Sequence, residues 1–300
     1  MRRAKLDMQR LAHASNIKTL AILSANTFDT RMPAPLISII TINRNNAEGL
    51  ARTLTSTAAQ FFSDFEHIVV DGASTDGSVE CIRRFETGVT RWVSEPDRGI
   101  YNAMNKAIAM ASGKYLVFLN SGDHFLNPNS LTLAAAQLQN FDLHYFALEI
   151  HTPRLNNVDN VLTYICPERL SFSFLGRSSL PHPATFIKAD LFQRYGKYDE
   201  SLRICADWKA FLLWVCKYNC TYKAHKMVLS VFYADGVSSL SSAAALIAQE
   251  RREVISTEFP AFVDDLQVML TATTDLPALK LLRSSRRIKL SQRLGVLWRF

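Results

Sequence analysis

Hydrophobic residues follow two different spacings in the first half of the chain. Continuous apolar runs at 36–42, 68–70 and 115–119 are typical of strands that are covered on both faces of a parallel sheet. Between these runs, apolar residues recur at helical spacing over 50–61, 79–85 and 100–111. A short strand is also predicted at Trp92 and Val93. Strands that alternate with helices predict an α/β fold with a doubly wound, mostly parallel sheet.

The second half of the chain has a less regular spacing. It contains candidate strands at 145–150, 158–164, 184–187 and 228–233 and a candidate helix over 208–218. In the first half, Gly113 is predicted to end the helix over 100–111 in a left-handed turn. No linker rich in Pro, Gly or Ser separates the halves, so the second half is expected to pack on the first sheet as a subdomain.

Three polar loops leave predicted strands at their carboxyl ends, at 41–46, 71–78 and 120–124. In open α/β sheets, ligands bind outside the carboxyl ends of the strands. The sequence therefore predicts a ligand site where these three loops meet.

The positive charge of the chain belongs to its two ends. Lys and Arg total 34 against 27 Asp and Glu, a net charge of +7. Residues 280–300 carry seven basic side chains and no acidic one, and residues 1–34 carry six basic and two acidic. The middle is thus slightly acidic, which excludes a basic nucleic-acid platform there.

The segment 279–300 places Leu, Ile and Trp residues among the basic ones. A cationic amphipathic helix is typical of binding to a membrane surface. A solvated tail, or a helix that packs on its own domain, is the alternative. Nucleic-acid binding is the weaker alternative because the tail almost lacks stacking aromatics.

The cysteines and the N-terminal region indicate a cytoplasmic protein. Five cysteines without C-x-x-C spacing favour neither a disulfide framework nor a zinc site. The uncharged run at 19–28 is too short to span a bilayer and lacks a cleavage pattern, so neither an anchor nor a signal peptide is expected there.

The polar loops and their flanking strands together resemble the family 2 glycosyltransferases, whose fold is called GT-A. The matching segments stand in family order: SIITINRNN at 38–46, VDGASTDGS at 70–78, EPDRGIYNAMNKAI at 95–108, YLVFLNSGD at 115–123, PHPATFIKADLF at 181–192 and ADW at 206–208. The pattern is most similar to bacterial enzymes that assemble cell-surface polysaccharides or glycolipids. It implies a Rossmann-like sheet flanked by helices, with an acceptor-side subdomain.

The resemblance also implies a domain organisation. Residues 1–34 would be a basic N-terminal extension, and residues 35–235 the GT-A domain. Its nucleotide-binding half would cover about 35–125 and its acceptor-side half about 126–235. Residues 236–300 would form a helical C-terminal region that includes the basic tail.

A nucleotide-sugar donor presents a base, a ribose diol and a diphosphate. By resemblance, six side chains contact the donor: Thr41, Asn43, Asp71, Asn105, Asn120 and His182. The first three would line the base and ribose pocket. Each of three residues has a structural alternative: Asp71 as a cap of the following turn, His182 as a packing residue and Asn105 as a solvated side chain.

Asp123 matches the metal-binding carboxylate of the family, which ties Mg²⁺ or Mn²⁺ to the donor diphosphate. The usual motif is Asp-x-Asp-Asp, whereas this chain has Asn120-Ser121-Gly122-Asp123. A single carboxylate can suffice, because Mg²⁺ takes most of its remaining ligands from phosphate and water. His124 could add a ligand for Mn²⁺, although a lone adjacent His is more often structural.

Asp207 matches the position of the catalytic base in the family. Inverting transfer needs a carboxylate that takes the proton of the acceptor hydroxyl as this attacks the anomeric carbon. The alternative is that Asp207 serves as the N-cap of the following helix.

These features predict an inverting hexosyltransferase that uses a nucleotide-sugar, UDP- or GDP-linked, and a lipid-linked or glycan acceptor. It would act in the cytoplasm, with peripheral contact to the inner face of the cell membrane through 279–300. Two other functions stay open. A nucleotidyltransferase would need a Gly-rich basic loop after the first strand, where TINRNNAEG has one Arg and one Gly. A non-catalytic nucleotide-sugar-binding or membrane-associated scaffold would explain the single carboxylate.

Overall fold

A computed structural model describes residues 34–155, 158–234 and 243–265, without the side chains of 153–160. From Pro35 onward these residues belong to one compact unit. The strands of this part of the chain are β1 (Ile37–Asn43), β2 (Phe65–Asp71), β3 (Arg91–Ser94), β4 (Tyr115–Phe118), β5 (His124–Phe125), β6 (Leu143–Leu155), β7 (Val158–Tyr164), β8 (Thr185–Lys188) and β9 (Tyr222–Tyr233). The α-helices are α1 (Ala47–Ala58), α2 (Ser78–Arg84), α3 (Ile100–Met110), α4 (Ser130–Ala135), α5 (Phe172–Arg177), α6 (Asp190–Tyr195), α7 (Ala206–Cys216) and α8 (Ala243–Glu258).

The strands form one sheet in the order β3-β2-β1-β4-β8-β6-β9-β5, and β7 pairs with β6. The first four strands are parallel. Beyond them, β8 is antiparallel to both β4 and β6, and β6 is parallel to β9. The predicted α/β class, with helices on both faces of the sheet, is confirmed.

The parallel register brings polar residues to one level at the carboxyl edge of the sheet. All seven residues of β1 are buried, in keeping with a strand covered on both faces. Its last residue, Asn43, pairs with Asp71 at the end of β2, and Asp71 pairs with Ser94 at the end of β3. Three neighbouring strands therefore end in side chains that can hydrogen-bond to one another.

The largest hydrophobic core lies on the face of the sheet that is covered by α3, α6, α7 and α8. Ile247, Val254 and Ile255 of α8 belong to it together with Phe118 of β4. The helix α8 therefore packs into the same core as the sheet. On the opposite face, two smaller cores form beneath α4 and between α1 and α2.

The predicted left-handed turn at Gly113 is wrong. The helix α3 is capped by Ala111, whose backbone is extended, and Gly113 is not among the glycines with positive φ. Gly113 is needed for a different reason, since a Cβ atom there would lie 2.6 Å from the backbone nitrogen of Ser38. The chain passes too close to β1 for any side chain at this position.

Two predicted strands are longer than expected from the sequence. The strand β6 extends from Leu143 to Leu155, beyond the predicted 145–150, and β9 begins at Tyr222 rather than at 228. Part of this added length is paired in parallel, since Leu143–Tyr145 pair with Tyr222–Ala224. Polar and charged residues within the two strands interrupt the apolar runs from which strands are predicted.

Candidate functional site

Asp71 is fully buried at the end of β2 and accepts four hydrogen bonds. The donors are the Ser74 backbone nitrogen at 3.0 Å, the hydroxyls of Ser74 and Ser94 at 2.6 Å each, and Nδ2 of Asn43 at 2.8 Å. Burial alone would raise the pKa of Asp71, but these hydrogen bonds hold it below its usual value of 3.8. Asp71 is therefore an anion that its neighbours fix in one orientation.

Asn43 lies beside Asp71, and one of its two side-chain polar atoms makes no hydrogen bond in the described residues. Its Nδ2 donates to Asp71 and lies 3.3 Å from the Ser74 hydroxyl. Its Oδ1 is buried and has no hydrogen-bond partner among the described residues. Since a buried polar atom without a partner costs free energy, this oxygen is available for a donor group of a ligand.

Thr41 is buried within the sheet rather than at its edge. Its hydroxyl donates to the carbonyl of Leu119 over 2.7 Å and lies 2.9 Å from Nε2 of His67. Burial lowers the pKa of His67 to about 3, so that ring is neutral. The Thr41 hydroxyl therefore makes its hydrogen bonds within the protein.

The loop after β4 forms a tight turn over 120–123. Gly122 has a positive φ of 110°, and the Thr53 hydroxyl of α1 lies 2.7 Å from the carbonyl oxygen of Asp123. Oδ1 of Asn120 is buried and, like that of Asn43, lacks a hydrogen-bond partner in the described part of the chain. The Asp123 side chain is itself buried.

This turn is attached to the end of β1. The Ser121 backbone nitrogen donates to the carbonyl of Ile42 over 3.1 Å. Nδ2 of Asn46, the N-cap residue of α1, donates to the carbonyl of Ser121 over 3.1 Å. Asn43 and Asp71 on one side and the 120–123 turn on the other therefore belong to the same edge of the sheet, where the sequence predicts them.

Asn105 links α3 to the segment that precedes α7. Its Nδ2 donates to the carbonyl of Tyr198 and to Oε1 of Glu200, and its Oδ1 accepts from the Tyr198 nitrogen over 3.0 Å. Both amide protons are thus used within the protein. Glu200 also accepts hydrogen bonds from Arg98 and Asn102.

His182 is buried among aromatic rings. It stacks on Phe118, with ring centroids 4.4 Å apart, and its Nε2 lies 2.9 Å from the Tyr198 hydroxyl. Burial lowers the pKa of His182, although Asp207 opposes this effect. The ring is therefore neutral near pH 7. Phe118 lies two residues before Asn120, so His182 adjoins the strand that leads to the 120–123 turn.

Asp207 lies within the first turn of α7 rather than at its N-cap, which is Cys205. Oδ1 of Asp207 accepts a hydrogen bond from the Tyr101 hydroxyl over 2.7 Å. Oδ2 lies 4.0 Å from Nδ1 of His182, and the side chain is 24% exposed. The alternative of a capping role is thus wrong, and the partly exposed carboxylate lies beside a neutral histidine.

Comparisons with known proteins give the family of this chain. A family model described as glycosyl transferase family 2 matches residues 38–192. The chain belongs to glycosyltransferase family 2. An uncharacterized glycosyltransferase of Mycobacterium tuberculosis is 37% identical over 224 residues, which cover 73% of this chain and 83% of that protein.

Two further similarities agree with the family. A PGL/p-HBAD biosynthesis glycosyltransferase of Mycobacterium bovis is 30% identical over 185 residues, or 59% of this chain and 68% of that protein. The mannosyltransferase PcManGT of Pyrobaculum calidifontis, solved in complex with GDP-Man and Mn²⁺, superposes with a TM-score of 0.59 at 17% identity. The match covers 87% of this chain and 84% of that one. This structural similarity shows that the glycosyltransferase has the GT-A fold.

The side chains of the 120–123 turn that could coordinate a metal suit a divalent cation that prefers oxygen ligands. Within the described ranges, no group of three or more His, Cys, Asp and Glu residues could hold a metal by itself. Asp123 and the unpartnered Oδ1 of Asn120 offer one carboxylate and one amide oxygen. Mg²⁺ is commonly held by one or two carboxylates together with substrate phosphates and waters, so these two side chains suit it.

His124 is the first residue of β5, directly after Asp123. Its ring stacks on Tyr233, with ring centroids 5.8 Å apart. Its Nδ1 is buried and has no hydrogen-bond partner in the described residues. Burial, the largest cause, lowers the pKa of His124, and Arg52 lowers it further. The ring is therefore neutral and keeps a nitrogen lone pair for a ligand or a metal.

Sequence patterns did not reveal two tyrosines of the site. Tyr101 and Tyr198 hold Asp207 and His182, respectively. The only signal in the sequence is that Tyr101 and Asn105 are four residues apart on α3, so they share one helix face.

Among the described helices, none is long and apolar enough to cross a bilayer. The basic tail at 279–300 lies outside the described residues.

Proposed function

We propose that this glycosyltransferase transfers a hexosyl unit from a nucleotide-sugar donor, with inversion, and that Asp207 is its catalytic base. The observation that carries the proposal is the position of Asp207. Its carboxylate is fixed by Tyr101 at one oxygen, is partly exposed, and lies next to His182, which packs on the strand leading to Asn120 and Asp123.

In this proposal, the donor lies along the carboxyl edge of the sheet. Asn43 faces the base and ribose, where its unpartnered Oδ1 accepts a hydrogen bond from the donor, and Asp71 orients this pocket by accepting from Nδ2 of Asn43. Asn120 and Asp123 lie toward the diphosphate. Thr41 and Asn105 have structural roles instead, because the Thr41 hydroxyl bonds to the Leu119 carbonyl and the Asn105 amide bonds to Tyr198 and Glu200.

The transfer step moves one proton and exchanges one bond. Asp207 takes the proton from an acceptor hydroxyl while the hydroxyl oxygen attacks the anomeric carbon. The bond from that carbon to the nucleoside diphosphate breaks, and the diphosphate leaves with the electron pair. A positioned base contributes on the order of 10² to 10⁴ in rate.

A divalent cation, Mg²⁺ or Mn²⁺, would be held by Asp123 and Asn120. When bound, such an ion supplies positive charge that stabilises the departing diphosphate. The oxygen ligands of the 120–123 turn support Mg²⁺ or Mn²⁺, and the buried, unpartnered Nδ1 of His124 would add a nitrogen ligand for Mn²⁺. The Mn²⁺ complex of PcManGT agrees with the second choice.

The acceptor is proposed to be lipid-linked or a growing glycan of the cell surface. The support comes from the PGL/p-HBAD biosynthesis glycosyltransferase that this chain resembles and from the basic amphipathic segment 279–300. In this proposal, that segment binds the inner face of the cell membrane in the cytoplasm, where each basic residue near an anionic leaflet adds about 1 kcal/mol.

A donor screen tests the proposed activity. The purified protein is incubated with common UDP-, GDP- and TDP-linked sugars, with Mg²⁺, with Mn²⁺ and with a chelator, and release of the nucleoside diphosphate is measured. We expect release from one donor class, faster with metal. Binding of a donor without release under any condition would favour the scaffold function instead, and neither binding nor release would contradict the proposal.

A further inference from the structure

Three consecutive backbone amides converge on the Glu250 side chain of α8. The nitrogens of Arg203, Ile204 and Cys205 donate to its carboxylate over 2.7, 3.1 and 2.9 Å. Glu250 is only 4% exposed. These amides immediately precede α7, the helix that carries Asp207 in its first turn.

The contact anchors the backbone that leads into α7. Cys205 is the N-cap residue of α7 and makes no capping hydrogen bond with its side chain. The Glu250 carboxylate binds the amide of this residue and those of the two residues before it. A carboxylate that accepts several amide hydrogen bonds holds them strongly, and its charge is favourable at a helix N-terminus.

The next residue of α8 contacts the chain on the other side of Asp207. The Arg251 guanidinium lies over the ring of Trp208, 4.8 Å from its centroid. The Trp208 indole nitrogen in turn donates to the carbonyl of Leu175 over 2.6 Å. The backbone before Asp207 and the side chain after it are thus both held by adjacent residues of α8.

We infer that α8 is part of the transfer site and that Glu250 is the positioning residue for Asp207. The inference rests on the proposed function, because it assumes that Asp207 is the base. The family model ends at residue 192, well before α8 and Asp207. If Glu250 releases the three amides, the first turn of α7 can shift, and Oδ1 of Asp207 then moves away from Tyr101.

The test compares Glu250→Gln with Glu253→Gln on the same helix. Glutamine keeps the size of Glu250, but it loses the charge and turns an amide group toward backbone donors. Glu253 is exposed and contacts Gln249 within α8, so its replacement is the matched control. Turnover, the KM for the donor and thermal stability are measured for both variants.

We expect Glu250→Gln to lower kcat at least tenfold, since a displacement of about 1 Å in a reacting group can cost on the order of 10²-fold. The donor KM should stay within about twofold, because Asp71 and Asn43 lie on other segments. Glu253→Gln should retain the wild-type kcat. A Glu250→Gln variant with wild-type kcat, or with a donor KM that rises as much as kcat falls, would overturn the inference.

A double-mutant cycle separates positioning from general stability. If Glu250 acts through Asp207, then adding Glu250→Gln to Asp207→Asn should lower the residual rate by less than about twofold. A further tenfold loss in the double variant would show that Glu250 acts independently of Asp207 and would contradict the inference. If Asp207→Asn keeps full turnover, the base assignment fails and the inference fails with it.

A second substitution keeps the test valid if Glu250→Gln does not fold. Glu250→Asp keeps the charge and shortens the side chain by one methylene, so it retains part of the amide contacts. We expect a folded protein with an intermediate kcat. Wild-type kcat in Glu250→Asp, together with an inactive Asp207→Asn, would overturn the positioning role alone.

Discussion

The Tyr101 hydroxyl on α3 lies 2.7 Å from Oδ1 of Asp207 on α7, although the two residues are 106 positions apart in the chain. The same hydroxyl lies within hydrogen-bonding distance of the Ile204 carbonyl. Since it carries one proton, it donates to only one of the two at a time. Burial and the neighbouring Asp207 raise the pKa of Tyr101, so it stays protonated and able to donate.

Tyr101→Phe is therefore expected to lower kcat about tenfold while leaving the donor KM within about twofold. The reason is that the base loses its orienting hydrogen bond, whereas the sheet edge is unchanged. Tyr145→Phe is the matched control, because it removes a buried hydroxyl that donates to the Pro167 carbonyl, outside the proposed site. Both variants should lose about 1 kcal/mol of stability. Equal kcat values for the two variants would count against the role of Tyr101.

Asn105→Ala is expected to lower stability without changing the affinity for the donor. Its amide joins α3 to Tyr198 and Glu200, and truncation leaves buried polar groups without partners at a cost of about 1–3 kcal/mol. Asn102→Ala, which removes two exposed hydrogen bonds, one to Glu200 and one from the Arg98 nitrogen, should cost less. Chemical unfolding and donor titration measure the two effects. A large loss of donor affinity with unchanged stability would restore Asn105 as a donor ligand.

The strands and the polar sheet edge could be predicted from the sequence because both depend on local patterns. The β-branched run of β1 is buried on both faces, and Asn43 and Asp71 end their strands directly. The contacts of Asp207 could not be predicted in this way. Tyr101 on α3 contacts its carboxylate, and Glu250 on α8 contacts the backbone just before its helix. Both residues are brought to this place only by tertiary packing.

Gly113 illustrates why a correct residue can be assigned a wrong reason. A glycine near the end of a helical pattern usually indicates a left-handed cap, and this is a local rule. Here the glycine allows a close approach to Ser38, 75 residues earlier in the chain. The residue pattern of α3 alone cannot predict this approach to a distant strand.

Gly113→Ala should destabilise the protein by about 1–3 kcal/mol, because the new Cβ would overlap the β1 backbone. Gly88→Ala is the matched control, since the nearest atom to a Cβ there is 3.8 Å away. Urea unfolding at neutral pH measures the difference between the variants. Equal stabilities for both would contradict the close packing of Gly113 against β1.

Asp71 predicts a specific dependence of stability on pH. Its pKa is lower in the folded protein than its usual value of 3.8, so its contribution is fully present above that value. The contribution is lost as the pH falls through the lowered pKa, because the unfolded chain binds the proton more readily. Asp71→Asn should therefore be less stable at pH 7 and lose less of its stability on going from pH 5 to pH 2.

Unfolding in urea at several pH values measures this difference. Asp64→Asn is the control, since Asp64 accepts a backbone hydrogen bond at an exposed position. Its unfolding is measured at the same pH values for comparison. If Asp71→Asn lost as much stability in acid as the wild-type protein, Asp71 would not be the group responsible for the loss.

The proposed role of Asp207 is to remove the proton of the acceptor hydroxyl. Asp207→Asn keeps the size of the side chain and removes its basicity, so its turnover with the donor identified in the screen is the decisive measurement. The prediction is a fall in kcat of roughly 10² to 10⁴ with the donor still bound at wild-type affinity. Turnover within a few-fold of the wild type would contradict it.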